Sequence, residues 1–347
     1  MSESTMLAAV FHGPDNLSVE EVPRPRPGAG EVVIKVSRCG ICGTDLHILR
    51  GDFPAPNLPL IIGHEFAGEV VEVGDGVNNT RPGDKATVDI NISCGSCYFC
   101  RHNQKLFCPH VRQLGVHDAG GMAEYVLAPA TNVYVLPESM PVEAAAYIEP
   151  LACAVHGQDR VGIEAGEIVA IVGGGPMGLA HAVLARLNGA SHVIVSEPMR
   201  SRRELAQTLG ADTIVDPMSA DAVERVLEAT DGRGADVVIE AVGSVPTYQD
   251  ALSMVRRGGR FLAYGAATQD AEMALRPFDV YSKELTIVGS YAGTYETWPK
   301  AIALISNGRF DPSRIVDEVR PLGEAAEAIE SLEKDKSVVK IQVRVES

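Results

Sequence analysis

Two different rhythms of apolar and polar positions run along this chain. Up to about residue 150 the apolar residues fall in short strand-like runs, among them Glu31–Val36, Gly68–Val73 and Lys85–Asp89, broken repeatedly by glycine and proline. Pro23-Arg24-Pro25-Arg26-Pro27-Gly28 is an extended turn, because its prolines remove the N–H donors that a helix needs. Closely spaced strands of this kind predict an all-β, barrel-like unit.

Near Gly166 the rhythm changes. Ile168-Val169-Ala170-Ile171-Val172 is a continuous apolar run, the pattern of a parallel strand covered on both faces. A glycine turn follows, then a predicted helix over Met177–Asn188, stopped by Gly189. Val193–Val195 is the next strand, and Arg200–Leu209 the next helix, stopped by Gly210. Thr213–Val215, Asp236–Ile239, Arg260–Ala263 and Leu285–Val288 continue the series, which predicts a doubly wound parallel sheet. Beyond residue 293 come two amphipathic helical stretches, Trp298–Asn307 and Glu324–Glu333, and the strand-like Val338–Val345. That tail is too short for a core of its own, so it is expected to pack on an earlier unit.

Length and charge narrow the possibilities. A chain of 347 residues is long for one core, and two domains are expected. A net charge of −16 repels nucleic acid and anionic membranes, so neither is an expected partner. No run of about 18 apolar residues is present to span a bilayer. Met1-Ser2-Glu3-Ser4-Thr5 lacks the basic-then-apolar order of a secretory signal. The expectation is a cytoplasmic protein whose clustered cysteines bind metal instead of forming disulfides.

Cys94, Cys97, Cys100 and Cys108 form such a cluster, spaced C-x2-C-x2-C-x7-C. Four thiolates this close suit a closed, tetrahedral structural zinc site with no position left for chemistry. A second group is different in kind. Cys42-Gly43-Thr44-Asp45-Leu46-His47 is followed by Gly63-His64-Glu65, and one thiolate, one imidazole and nearby carboxylates leave a coordination position open. Gly173-Gly174-Gly175-Pro176-Met177-Gly178 fits G-x-G-x-x-G between a buried-type strand and a helix, the context in which glycines let a backbone approach a pyrophosphate. Glu197 follows the next strand, where a carboxylate accepts from ribose hydroxyls and repels a 2′-phosphate, favouring NAD over NADP. Arg200, Arg202 and Arg203 keep NADP open as the alternative.

Together and in this order, these motifs closely resemble the zinc-containing medium-chain dehydrogenase/reductase superfamily over nearly the whole chain. Ile148-Glu149-Pro150-Leu151 resembles its sorbitol (polyol) dehydrogenase branch, since alcohol dehydrogenases proper usually carry a cysteine near the position of Glu149. The resemblance implies an α/β protein: a GroES-like β-barrel catalytic domain, 1–153 with 294–347, holding both zinc ions, and a Rossmann NAD-binding domain, 154–293. It also implies a homotetramer or homodimer. Carried over by position, Cys42 and His64 are catalytic zinc ligands, and Glu65 and Glu149 share the remaining role, one on the metal and one on its water. Cys39 precedes Cys42 at a metal-like spacing, but the Cys-x-Thr-Asp-x-His frame begins at Cys42, so Cys39 reads as a packed thiol. Ile48 stands where animal sorbitol dehydrogenases tend to have an aromatic residue, which weighs against sorbitol itself.

The remaining roles follow from side-chain chemistry within that frame. Asp45 accepts from the other nitrogen of the His64 ring. Thr44, whose alternative is a plain strand residue, relays a proton through its hydroxyl. His47 passes that proton to solvent. The fold resemblance implies that Gly265 and the strand end Gly289-Ser290-Tyr291 seat the nicotinamide, with Gly173, Gly175, Pro176, Met177, Gly178, Glu197 and Arg202 along the rest of the cofactor. The reaction expected is hydride transfer from a secondary alcohol of a polyol, sugar alcohol or cyclitol to NAD, giving a ketone. The alternatives are an L-threonine or other amino-alcohol dehydrogenase, and a catalytically silent dinucleotide-binding protein.

Overall fold

The computed structural model describes residues 4–53 and 55–345. Met1–Glu3, Pro54 within the Leu49–Leu60 loop, and Glu346-Ser347 lie outside the described residues. The chain falls into two compact units, Met1–Ala152 with Gly293–Ser347, and Cys153–Ala292.

Strand Glu31–Gly40 is the spine of the first unit. It pairs antiparallel with Glu65–Val73, with Tyr125–Pro129 and with Lys340–Arg344. Period-two alternation sends Val32, Ile34 and Val36 into one core with Phe66, Val70, Ile341 and Val343. Lys340–Arg344 also pairs in parallel with Val316–Pro321, so the tail contributes two strands to this sheet. The unit is not purely β as the rhythm had suggested. Helix Gly43–Arg50 follows the spine strand directly and buries Asp45, Ile48 and Leu49.

The second unit is a six-stranded parallel sheet in the order Thr213–Val215, His192–Ser196, Ile168–Val172, Ala235–Glu240, Val255–Ala263, Thr286–Gly289. That order reverses beside Ile168–Val172, placing a topological switch point at the carboxyl end of this strand, where the glycine turn begins. All six strands fall on the predicted runs, with ends moved by a few residues. Lys85–Val88 in the first unit stops before Asp89, whose side chain turns into a polar network. Thr286–Gly289 starts late because Glu284 is left-handed, φ 50°, and Leu285 N–H closes the preceding helix on Val280 O. Seven α-helices among the described residues escape the sequence reading: Gly43–Arg50, Tyr98–Arg101, Val142–Ala145, Ile148–Val161, Ala222–Glu228, Val245–Met254 and Pro277–Lys283. Ala222–Glu228, Val245–Met254 and Pro277–Lys283 are short, and their apolar stripes are too sparse to stand out from loop sequence.

Candidate metal centres and cofactor turn

Cys42 stands at the N-terminus of helix Gly43–Arg50. The Asp45 carboxylate folds back to accept from Cys42 N–H at 2.8 Å, and its other oxygen lies 3.5 Å from His64 Nδ1. Asp45 is fully buried, so this acceptor is committed to the Cys42 backbone and the His64 ring. Burial disfavours a charged His64, but Asp45 and Cys42 outweigh it and lift the ring well above the ordinary histidine pKa. A metal cation must therefore compete with a proton for this ring.

Glu65 opens strand Glu65–Val73 opposite Gly40. A Cβ at Gly40 would lie 2.1 Å from Glu65 Oε2, so glycine there makes room for the carboxylate. Lys340, from the tail, donates to Glu65 Oε1 at 2.7 Å and to Ile41 O at 2.9 Å, and its ammonium pairs with Glu65 Oε2 at 2.5 Å. Burial opposes the Lys340 charge, but Glu65 and Cys42 more than compensate and raise its pKa above the lysine norm. No sequence signal marked Lys340. Donor atoms of Cys42, His64 and Glu65 converge within 4.8 Å of one another, a donor set that fits a borderline-soft divalent metal. Glu149, buried in the first turn of Ile148–Val161, is not part of that group. Cys39 is fully buried in the apolar core, and burial raises its thiol well above the ordinary value, as suits an inert side chain. Ile48 is also a core residue with no exposed surface.

Thr44 lies on the helix, not on a strand, 3.6 Å from Cys42 Sγ through its hydroxyl. His47, three residues on, shares its helix face and is half exposed, with Asp52 4.0 Å from its ring.

The four sulfurs of Cys94, Cys97, Cys100 and Cys108 also converge within 4.8 Å. Backbone N–H donors of Ser96 and Cys97 pull the Cys94 thiol down to about 6, and His110 N–H points at Cys108 Sγ from 3.4 Å. Four sulfurs gathered this way fit a closed tetrahedral zinc site. Lys105, inside the same lobe, reaches a buried ion pair with Asp89 and stacks over the Tyr295 ring at 3.8 Å. Asp89 accepts from Asn91, which in turn accepts from Gln113, so the lobe is fastened to the barrel by a polar chain.

In the second unit, Gly173 is left-handed, φ 102°, and Pro176 begins helix Pro176–Leu187. A Cβ at Gly178 would lie 1.8 Å from Gly173 O, so the helix packs on its own strand only through glycine. Glu197, at the end of the neighbouring strand, accepts from Gly174 N–H at 2.7 Å and from Met199 N–H at 2.8 Å. Its carboxylate is thus pinned at the turn. Arg203 is committed to the Glu197 and Pro198 carbonyls and to Asp216, and Arg200 to Glu204, while the Arg202 guanidinium lies 3.8 Å from where a Gly175 Cβ would be. Ser290 Oγ is buried with no hydrogen-bond partner among the described residues, beside the strand that ends at Gly289. Met177 is partly exposed at the turn, and Gly265 packs against Gly243 N and the Glu240 carboxylate.

Known proteins are similar to this chain over most of its length. The family described as Alcohol dehydrogenase GroES-like domain matches residues 28–138, and that described as Zinc-binding dehydrogenase matches 176–307. D-arabitol-phosphate dehydrogenase of Enterococcus avium is 34% identical over 338 residues, 96% of this chain and 95% of that protein. L-threonine 3-dehydrogenase of Pyrococcus abyssi is 40% identical over 302 residues, 85% of this chain and 86% of that protein. A Sinorhizobium meliloti protein solved bound to NADP superposes with a TM-score of 0.95 at 38% identity, covering 99% of this chain and all of the other.

Proposed function

The chain belongs to the zinc-containing medium-chain dehydrogenase/reductase superfamily, an oxidoreductase with GroES-like and Rossmann-type domains, and we propose that it is an NAD-dependent polyol dehydrogenase. In this reading it takes hydride from a secondary alcohol of a polyol, sugar alcohol or cyclitol and releases a ketone. The observation that supports it most is the convergence of Cys42, His64 and Glu65 donors on one point. Each chain carries two zinc ions, one held by Cys42, His64 and a carboxylate, the other by Cys94, Cys97, Cys100 and Cys108.

When bound, zinc supplies Lewis-acid activation, on the order of 10 kcal/mol if an alcohol is acidified as far as water, against roughly 3–5 kcal/mol from a positioned acid–base group. Gly265 and Ser290 would hold the nicotinamide, which would supply the hydride acceptor when bound. The chain's own residues do the rest. Asp45 holds the His64 ring and the Cys42 backbone in place. Lys340 balances the buried charge of Glu65. Glu149, outside the converging group, is the carboxylate left to hold water. Thr44 takes the hydroxyl proton and His47, on the same helix face and reached by solvent, passes it out. Glu197, pinned at the glycine turn, favours NAD by repelling a 2′-phosphate. Gly265 and Ser290 seat the nicotinamide, Ser290 through its unpartnered hydroxyl.

A second reading has one observation in its favour: the 40% identity to an L-threonine 3-dehydrogenase. A panel of polyols, cyclitols, amino alcohols and threonine, each offered with NAD+ and NADP+, separates the two. Polyol-dependent NADH formation and about two zinc ions per chain are expected. Turnover of threonine with inert polyols moves the assignment to the second reading, and a preference for NADP+ overturns the role given to Glu197. Normal turnover by Cys42→Ala or His64→Ala removes the metal from the mechanism.

A further inference from the structure

Glu240 is the last residue of strand Ala235–Glu240, at the carboxyl edge of the parallel sheet, and it is fully buried. A carboxylate in that position needs donors. It finds them in one short stretch of chain. Val242 N–H donates to Oε1 at 2.9 Å, Gly243 N–H to Oε1 and Oε2 at 2.9 and 3.1 Å, and Thr247 Oγ1–H to Oε1 at 2.8 Å. The Glu240 backbone carbonyl takes Gly265 N–H at 2.8 Å and Tyr264 N–H at 3.2 Å, from the loop that follows the next strand. Tyr248, one residue beyond Thr247, donates its hydroxyl to Gly265 O at 2.6 Å.

Two loops are therefore fastened to one residue, the first through its carboxylate and the second through its backbone carbonyl, and both are packed to contact. A Cβ at Gly265 would lie 2.5 Å from Glu240 Oε2 and 2.3 Å from Gly243 N; one at Gly243 would lie 2.4 Å from Ala266 O. The first loop also reaches the glycine turn, where a Cβ at Gly173 would lie 2.7 Å from Val242 Cγ2. Val242 nevertheless keeps half of its surface exposed, so an apolar side chain is held out beside the turn. Two carboxylate oxygens are the economical solution for this many donors. An amide would present an NH2 to one of the N–H groups, and charge-assisted hydrogen bonds are roughly twice as strong as neutral ones.

We propose that Glu240 is a positioning residue for the dinucleotide, whose carboxylate sets Val242 and Gly243, packed against Gly265 on its backbone carbonyl, as one wall against the cofactor beside the Gly173–Gly178 turn. The proposal rests on the reading of that turn as the dinucleotide site. It acts on cofactor binding and not on the metal cluster or the alcohol.

The test compares zinc-loaded native protein with Glu240→Ala and Glu240→Gln. NADH Kd is measured by fluorescence titration, and KM for NAD+, KM for the alcohol, kcat and zinc per chain by steady-state kinetics and metal analysis. Glu240→Ala weakens NADH binding and raises KM for NAD+ tenfold or more, while kcat at saturating NAD+, KM for the alcohol and zinc content stay within threefold of native. A general loss of structure would move all of these together. If Glu240→Ala does not fold, Glu240→Gln decides, with NADH binding weakened threefold or more. A smaller change in the folded variant that decides overturns the proposal. Native protein that fails to bind NADH refutes the dinucleotide reading itself, whereas native binding with an unaltered variant refutes only the role of Glu240.

Discussion

Lys340 is a buried cation, and its neighbours explain why the chain tolerates it. Its ammonium is shared between both Glu65 oxygens and Ile41 O, in a pocket where Cys42 and Asp45 add further negative charge. Removing one partner of a buried pair leaves the other uncompensated, at about 3–5 kcal/mol. Lys340→Met is expected to lower stability by about that amount in urea unfolding, and Lys340→Arg to restore most of it. Lys105 poses the same problem in the cysteine lobe, where its partner is the fully buried Asp89. Lys105→Met should therefore destabilise to a similar extent, about 3–5 kcal/mol, while the double variant Lys105→Met with Asp89→Asn recovers part of the loss.

At the scale of elements, helix Pro176–Leu187 is bound to its neighbours by a polar seam instead of a purely apolar one. His181, fully buried, lies edge-on to Tyr264 at 4.4 Å, and Gln158 donates to His181 O at 2.8 Å while accepting from Asn188. Burial alone drives the His181 pKa down from 6.5 to about 3, so the ring folds neutral. The unfolded chain binds a proton below about 6.5 that the folded one refuses until about 3, so stability falls as pH drops through that window. The expected slope from this residue is about 1.4 kcal/mol per pH unit, and His181→Gln should flatten it in denaturant titrations between pH 6 and 4. A His181→Gln variant with the same slope as native would remove His181 as the cause.

At the scale of the whole molecule, the parallel sheet ends on Thr286–Gly289, whose outer edge has no strand partner among the described residues. Ile287 on that edge is exposed, as are Phe278 and Tyr281 of the adjoining helix Pro277–Lys283. Open apolar edges invite strand pairing. We propose that, in a homo-oligomer, two copies meet along this edge. Ile287→Lys with Tyr281→Lys should shift the native protein toward monomer in sedimentation experiments, and a native monomer at micromolar concentration would refute the assembly. Chelation offers a second whole-molecule test. Loss of the metal read into Cys94, Cys97, Cys100 and Cys108 should lower thermal stability, because that lobe is fastened to the barrel through Asp89, Asn91 and Gln113.

Much of this architecture was written in short-range pattern. The four lobe cysteines lie within fifteen residues, so their convergence needs little more than one turn of chain. The glycine turn follows its strand directly, and the apolar runs name all six parallel strands. The Cys42 and His64 motifs could be read through their resemblance to a family. Lys340 could not, because it stands 275 positions from Glu65 and reaches it only through the pairing of Lys340–Arg344 with Glu31–Gly40. The separation of Glu65 from Glu149, the polar seam at His181 and the two loops gathered by Glu240 were likewise decided by tertiary structure. The reason is common to them all. Residue type and spacing determine which chemistry a chain carries and which local elements it forms, whereas the partner of a buried charge is chosen by strand register and by which loops meet at a sheet edge.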